Sequence, residues 1–339
     1  MCKEDRSRIT PLIEITPKTF QAPINGDNQG KKPEPALVLE DQAKTLLESW
    51  ENAPFFLDLS LIDGIVPSIC GVGHPLVHIA ERARTFRLFL IPVTGLNRKA
   101  AYQSAVSRVV QLDRRGACLR LVASETARPS FARAVETVLG NLGLEKSDVD
   151  LLLDYQTFDN DQPPLKALLS SIPNLCAWRT VSVASGAFPA DLQKYRPGSH
   201  LIPRNDWLRW KGNYLHETTV PRQPSFPDYT IQYGQYREPP RRCNPSASIR
   251  YTLDNDWLVM RGEGIFNKKS PGRVQWTKNA ILLRDRPEFY GAEFSCGDAF
   301  ILKKSNEPRN HGSPEVWIRA GINHHMTVVS RQIANLAVP

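Results

Sequence analysis

What most constrains this chain is a series of short apolar runs, several closing on a polar or charged residue, separated by about 25–45 residues of helical character. The runs are Ile9–Ile15, Phe55–Leu59, Leu88–Val93, Cys118–Val122, Leu151–Tyr155, Thr180–Ser185 and Tyr229–Gly234. Amphipathic segments lie between most of them, at 39–50, 76–85, 100–113, 130–142, 164–172 and 204–214. Strand alternating with helix at this spacing predicts βα units rather than hairpins. The unbroken Leu151-Leu152-Leu153 fits a strand covered on both faces, as parallel strands are. A doubly wound sheet would carry the same alternation, but no Gly-x-Gly-x-x-Gly follows the first run, so a TIM-like (βα)8 barrel is favoured.

The texture changes from Pro221 onward. Proline and arginine crowd into 221–224 and 238–242, which read as loops. Ser248–Thr252 and Trp257–Gly262 flank Asp254-Asn255-Asp256 as a hairpin, and helices are expected at Arg273–Leu283, around Asp298–Leu302 and at Val316–Leu336. Asn25–Pro35 reads as a flexible loop. The expected organisation is a barrel domain over 1–240, with a β-hairpin and C-terminal helices over 241–339 packed on it as a single structural unit.

A chain of 339 residues is long enough for one such core, and 41% hydrophobic with 23% charged residues argues against wholesale disorder. The 43 basic and 35 acidic residues leave +8, which suits an anionic partner, either a small molecule or nucleic acid. No stretch reaches 18 uninterrupted apolar residues; Gly64–Ala80 comes nearest and is broken by two prolines, three glycines and two histidines. The N-terminus shows no apolar signal core, so no membrane association and a cytoplasmic location are expected. The six cysteines are scattered without a Cys-x-x-Cys pair, which excludes a zinc ribbon or disulfide scaffold and reads as reduced thiols.

Barrels present functional groups at the carboxyl ends of their strands, so Glu14, Asp58, Arg120 and Asp154, late in their runs, are the candidate site. Glu14, Asp58 and Asp154 suit a general acid and base, or oxygen ligands for a divalent cation. Arg120 would grip phosphate or carboxylate through its planar fork. The plainer alternative is that each acid caps a helix or pairs with an arginine. Arg250, Tyr251 and Arg261 on the hairpin are candidate substrate-binding residues. Alternation puts Arg250 and Tyr251 on opposite faces, one toward the barrel and the other toward solvent.

His324 is a further candidate for reaching the mouth. His324 and His325 diverge by about 100° on a helix and cannot share a metal by local geometry, and the simpler reading is a helix surface and its packed neighbour. His74 and His78 lack the Glu-x-x-His context of a zinc helix. Trp207 and Trp210 sit at the spacing of one buried helical face with Arg204 and Lys211 on its wet side, a reading favoured over base stacking. No phosphate-binding Gly-x-x-x-x-Gly-Lys-Ser/Thr loop, Gly-x-Ser-x-Gly elbow or His-Glu-x-x-His helix is present.

Taken in order, Arg8–Ile15, Phe56–Leu59, Leu119–Leu121, Asp150–Asp154, Ser248–Thr252 with Met260–Gly262, and Gly321–His325 resemble the phage T4-type beta protein family over nearly the whole chain. The resemblance implies a phage- or mobile-element-associated protein and brings no established activity. It also implies one more strand and helix ahead of Pro11–Ile15. Ile9–Ile15 would then be the second of eight strands and Tyr229–Gly234 the eighth, with the hairpin added outside and partly filling any gap. Two functions remain open. One is a metal-assisted hydrolase with an anionic, phosphorylated substrate at the mouth; the other is a non-catalytic binding or regulatory protein in phage–bacterium conflict. Acids close enough to share a cation would favour the first, and acids pointing apart or each locked to its own arginine the second.

Overall fold

The computed structural model describes residues 3–21, 33–66, 68–69, 73–159, 164–216, 219–238, 240, 243–307 and 309–336. Six parallel strands, β1 (Leu12–Glu14), β2 (Pro54–Asp58), β3 (Phe89–Thr94), β4 (Ala117–Val122), β5 (Val149–Thr157) and β6 (Thr180–Gly186), lie side by side in chain order. Helix α1 (Lys3–Ser7) precedes β1, and α2 (Pro35–Trp50), α3 (Pro75–Thr85) and α4 (Ala100–Asp113) follow the first three strands. After β4 come α5 (Ala123–Thr126) and α6 (Phe131–Leu142), and after β5 comes α7 (Leu165–Ser170). Sequential order means that every crossover steps the same way. With the usual right hand of such crossovers the helices share one face, which excludes the doubly wound alternative.

Period-two alternation then sorts the side chains. Phe55, Leu57 and Leu90 pack under α2, α3 and α4, and Leu119, Leu121, Leu151 and Leu153 under α6 and α7. Their neighbours Glu14, Asp58, Arg120 and Asp154 therefore face the concave side. Flat strands three steps apart would be separated by about 14 Å. Arg120 on β4 nevertheless reaches Glu14 on β1 at 2.6 Å while bonding Asp154 on β5 at 2.7 Å, so the sheet is curled. Among the described residues it forms an open half-barrel of six strands rather than a closed barrel of eight.

A second, antiparallel sheet takes β7 (Gly198–Pro203), the helix α8 (Asn205–His216) following it, and then β8 (Ile249–Thr252) and β9 (Asp256–Arg261) in the spatial order β7-β9-β8. The hairpin forms as expected, closed by Leu253 N–H donating to Asp256 O at 2.8 Å. Its Ile249, Tyr251, Leu258 and Met260 face α9 (Val274–Arg284), α10 (Cys296–Asn306) and α11 (Pro314–Leu336). Trp257 and Val259 face the other way, onto Phe188, Leu192 and Ile231 beside the mouth of the half-barrel. No helix among the described residues is long and apolar enough to cross a membrane.

One expected strand is absent and one unexpected strand is present. Tyr229–Gly234 is not a strand: the Asp228 carboxylate accepts from Thr230 N–H at 2.8 Å, Thr230 turns to φ +57°, and Gln232 N–H closes back on Tyr229 O. Local side-chain-to-backbone bonding of this kind competes with a sheet ladder. The edge strand β7 was missed because Gly-Ser-His-Leu-Ile-Pro is short and punctuated by glycine and proline, and it gains its pairing only from β9. The expected loop at Asn25–Pro35 falls mostly outside the described residues.

The 229–234 turn presses closely on β5. A Cβ at Gly234 would stand 1.7 Å from Gln156 O, so Gly234→Ala must push backbone apart. It is expected to cost about 3 kcal/mol in chemical denaturation. Gly140→Ala on α6, where a Cβ meets nothing within 4 Å, should stabilise by up to about 1 kcal/mol. Equal effects of the two changes would contradict this packing.

Candidate functional site at the half-barrel mouth

Glu14 and Asp58 end adjacent strands and are register partners, while Asp154 pairs with Val122 two residues beyond Arg120. Curling brings all four together. Arg120 Nη1 donates to Glu14 Oε1 at 2.6 Å and to Asp58 Oδ2 at 3.0 Å, and Nε to Asp154 Oδ2 at 2.7 Å. The three acids do converge, but on one arginine that they share. Its guanidinium stands where a common cation would be, and among the described residues no group of three or more His, Cys, Asp or Glu side chains is arranged for a metal ion. The donor set present therefore does not fit a resident divalent cation.

Three residues that the sequence reading missed complete the network. Arg98, four residues past β3, gives Nη2 to Asp58 Oδ2 at 2.8 Å. Tyr102 from α4 donates its hydroxyl to Val93 O and reaches Asp58 Oδ1 at 3.4 Å. Tyr229, from the turn taken for a strand, donates to Asp154 at 2.6 Å and accepts from Arg120 Nη2 at 3.3 Å. A basic residue just past a strand's carboxyl end could have flagged Arg98; nothing local marks Tyr229.

The side chains of Asp58 and Asp154 are wholly buried, whereas Glu14 retains 27% exposure. Burial pushes the Asp58 carboxyl up, but the Arg98 and Arg120 guanidinia and the Ser60 N–H outweigh it and hold it below the usual range. Burial also opposes charge on Arg120, yet Asp154, Glu14 and Asp58 raise it further still. Burial and Asp154 keep the Tyr229 phenol protonated far above neutrality. Three carboxylates against Arg120 and Arg98 leave one net negative charge. Each acid of the mouth is thus held by an arginine, and Asp58 by two.

The other candidates separate into two places. Arg250 and Arg261 face the mouth side of the second sheet. Arg250 pairs in register with Val259, which makes Arg261 a diagonal neighbour about 7–8 Å away on the same face. Arg250 Nη1 donates to Ile231 O at 2.7 Å and its guanidinium lies 4.6 Å over Phe188. Arg261 donates to the carbonyls of Leu192 and Gly262. Neither forms a carboxylate ion pair among the described residues. Burial, and then the Arg261 charge, bring Arg250 down to about 10, and burial lowers Arg261 despite Asp191.

Tyr251 and His324 lie on the opposite side of that sheet, remote from Arg120. Tyr251 turns toward the C-terminal helices, not solvent, and stacks 3.8 Å from His324, and both meet Asp298. The helix-surface reading of this pair is corrected, because His324 and His325 are both buried, the latter between Asp228 and Thr252. Trp207 and Trp210 are buried and stacked as expected, so their faces are not open to bases. Arg204 is fully buried as well, contrary to its expected wet position. It donates to Leu253 O, Asp254 O and Gln332, beneath the hairpin turn.

No curated protein and no solved structure matches the chain significantly. The family model for Beta protein matches residues 1–331, which takes in the half-barrel, the second sheet and most of the C-terminal helices, in line with the ordered motifs of the sequence. The chain therefore belongs to the beta protein family.

Proposed function

We propose that this protein is a non-catalytic binding protein that takes an anionic ligand at the seam between the half-barrel mouth and the second sheet. One observation carries the reading: the division of the arginines. Arg120 is already held by Glu14, Asp58 and Asp154, while Arg250 and Arg261 lie on one face of the second sheet and, among the described residues, hydrogen-bond only to carbonyls. Like charges held together with no carboxylate in hydrogen-bonding contact are stabilised by an arriving anion, and arginine forks suit phosphate or carboxylate. The hydrolase reading needs an acid of the mouth to be free for a proton or a cation, and all three are engaged. A reducing, cytoplasmic setting accords with Cys118, Cys176 and Cys243 being free thiols, the last two exposed. Association with phage or mobile elements rests on the family resemblance.

A thermal-shift panel of inorganic phosphate, pyrophosphate, a nucleoside triphosphate and a short oligonucleotide tests the proposal. At a hundred times the dissociation constant an anion adds about 2.7 kcal/mol, a rise of several degrees in Tm. That rise is expected to vanish in Arg250→Gln and in Arg261→Gln. Equal responses in wild type and both variants, or none from any anion, would overturn the assignment.

A further inference from the structure

We infer that the C-terminal helical layer carries a second, separate site, for a small molecule bearing a phosphate monoester. A cavity of ≈ 530 Å³ opens between the start of α9, the last turns of α10 and the loop leading into α11, with Arg273, Lys304, Arg309, His311 and Ser313 in its wall. This volume lies within the range of small-molecule sites. Arg273 and Arg309 are exposed and have no carboxylate partner among the described residues. Lys304 is buried at 5% exposure and spends one donor on Glu307 Oε2 at 2.7 Å. Three cations against one carboxylate leave two positive charges, which match a phosphate monoester above its second ionisation.

The wall is preformed rather than loose. His311 Nδ1 is bonded to Thr277 Oγ1 at 2.8 Å, leaving Nε2 as its remaining ring nitrogen, and Trp317 Nε1 donates to His311 O at 2.9 Å. Gly312 sits at φ +77°, where a Cβ would come within 3.0 Å of the Trp317 ring, so this loop closes tightly on α11. Phe300 and Val316 supply an apolar wall for the organic part of the ligand. None of these residues belongs to the Arg120 network or to the Arg250–Arg261 pair.

Isothermal titration of the full chain with a nucleoside 5′-monophosphate, the parent nucleoside and inorganic phosphate tests this. The monophosphate and phosphate are expected to bind, the nucleoside not. Arg273→Gln and Arg309→Gln, both at exposed positions, should each weaken monophosphate binding at this site at least tenfold, while Arg250→Gln leaves it unchanged. Retained affinity in Arg273→Gln and Arg309→Gln, nucleoside binding as tight as monophosphate binding, or no binding of any of the three would overturn the inference. Loss of all phosphate binding in Arg250→Gln alone would likewise overturn it while supporting the mouth site. Loss confined to Arg273→Gln and Arg309→Gln, with Arg250→Gln binding like wild type, would support it and count against the mouth site.

Discussion

Replacing Arg120 with methionine is expected to remove about 4 kcal/mol of stability at neutral pH, and to leave the variant folded but marginal if the wild type lies at the low end of ordinary stability. The reason is asymmetry. An ion network buried as a whole contributes little net, but removing its only shared cation strands the carboxylates of Asp58 and Asp154, whose side chains have no exposure. Arg98 still serves Asp58, so Asp154 suffers most, and adding Asp154→Asn to the methionine variant should restore part of the loss. Arg120→Lys should fall between, because one ammonium cannot reproduce the fork that engages Glu14, Asp58 and Asp154 together. The sign with pH follows from Asp58. Its folded-state value is depressed, so its contribution is present above its unfolded value and is lost as pH falls through the folded one. Wild type and variant should therefore converge on acidification. Urea titrations at several pH values give the comparison, and a loss below about 1 kcal/mol at pH 7 would refute the buried network.

The second large effect is a reversal in the pH dependence of stability on changing Asp206. This carboxyl, buried at the start of α8, is pushed up to about 7 by burial and by the neighbouring Asp228 charge, against the N–H groups of Trp207 and Ala187 and the Arg204 guanidinium. A folded acid with a raised value binds a proton that the unfolded chain has released. Stability therefore falls as pH rises from the unfolded carboxylate value to about 7, by up to about 1.4 kcal/mol per unit. His325 works in the opposite sense. Burial holds it below its usual value despite Asp228, so stability is lost as pH falls below about 6.5, where the unfolded histidine takes a proton. The two slopes oppose one another where both groups titrate, and the Asp206 loss exceeds the His325 gain across about pH 6 to 8. Wild type should lose Tm across that interval. Asp206→Asn, which cannot ionise, should lose none there and should gain stability as pH rises toward 6.5. Parallel pH profiles for the two proteins would contradict the buried pair.

The expected calorimetric and thermal-shift signals at Arg250–Arg261 and at the α9–α10 cavity differ from these in kind, because they depend on ligand rather than on the native network. Arg273 and Arg309 are exposed and Arg250 is only partly buried. Neutralising them should change folding stability much less than changing Arg120 does.

Alternation of apolar runs with amphipathic helices was enough, by itself, to place five of the six parallel strands closely, the hairpin and the three C-terminal helices. Those signals are local: period two, period 3.6, and the punctuation of turns. Their place late in the apolar runs likewise put Glu14, Asp58, Arg120 and Asp154 at the carboxyl ends of strands, around a common mouth. Only the tertiary structure decided what those four residues do. Whether three acids meet a metal, a substrate or an arginine depends on how far the sheet curls and on which side chain fills the centre, and neither is written in any short window. The same holds for Tyr229. Its apolar flanks read as a strand, but the Asp228 carboxylate and the tight seat of Gly234 against Gln156 turn the chain, and the phenol comes to rest on Asp154. Arg204 and Arg250 carry the same charge in sequence. Packing seals one beneath the hairpin turn and leaves the other beside the mouth with part of its surface open, a difference that arises only once distant segments meet.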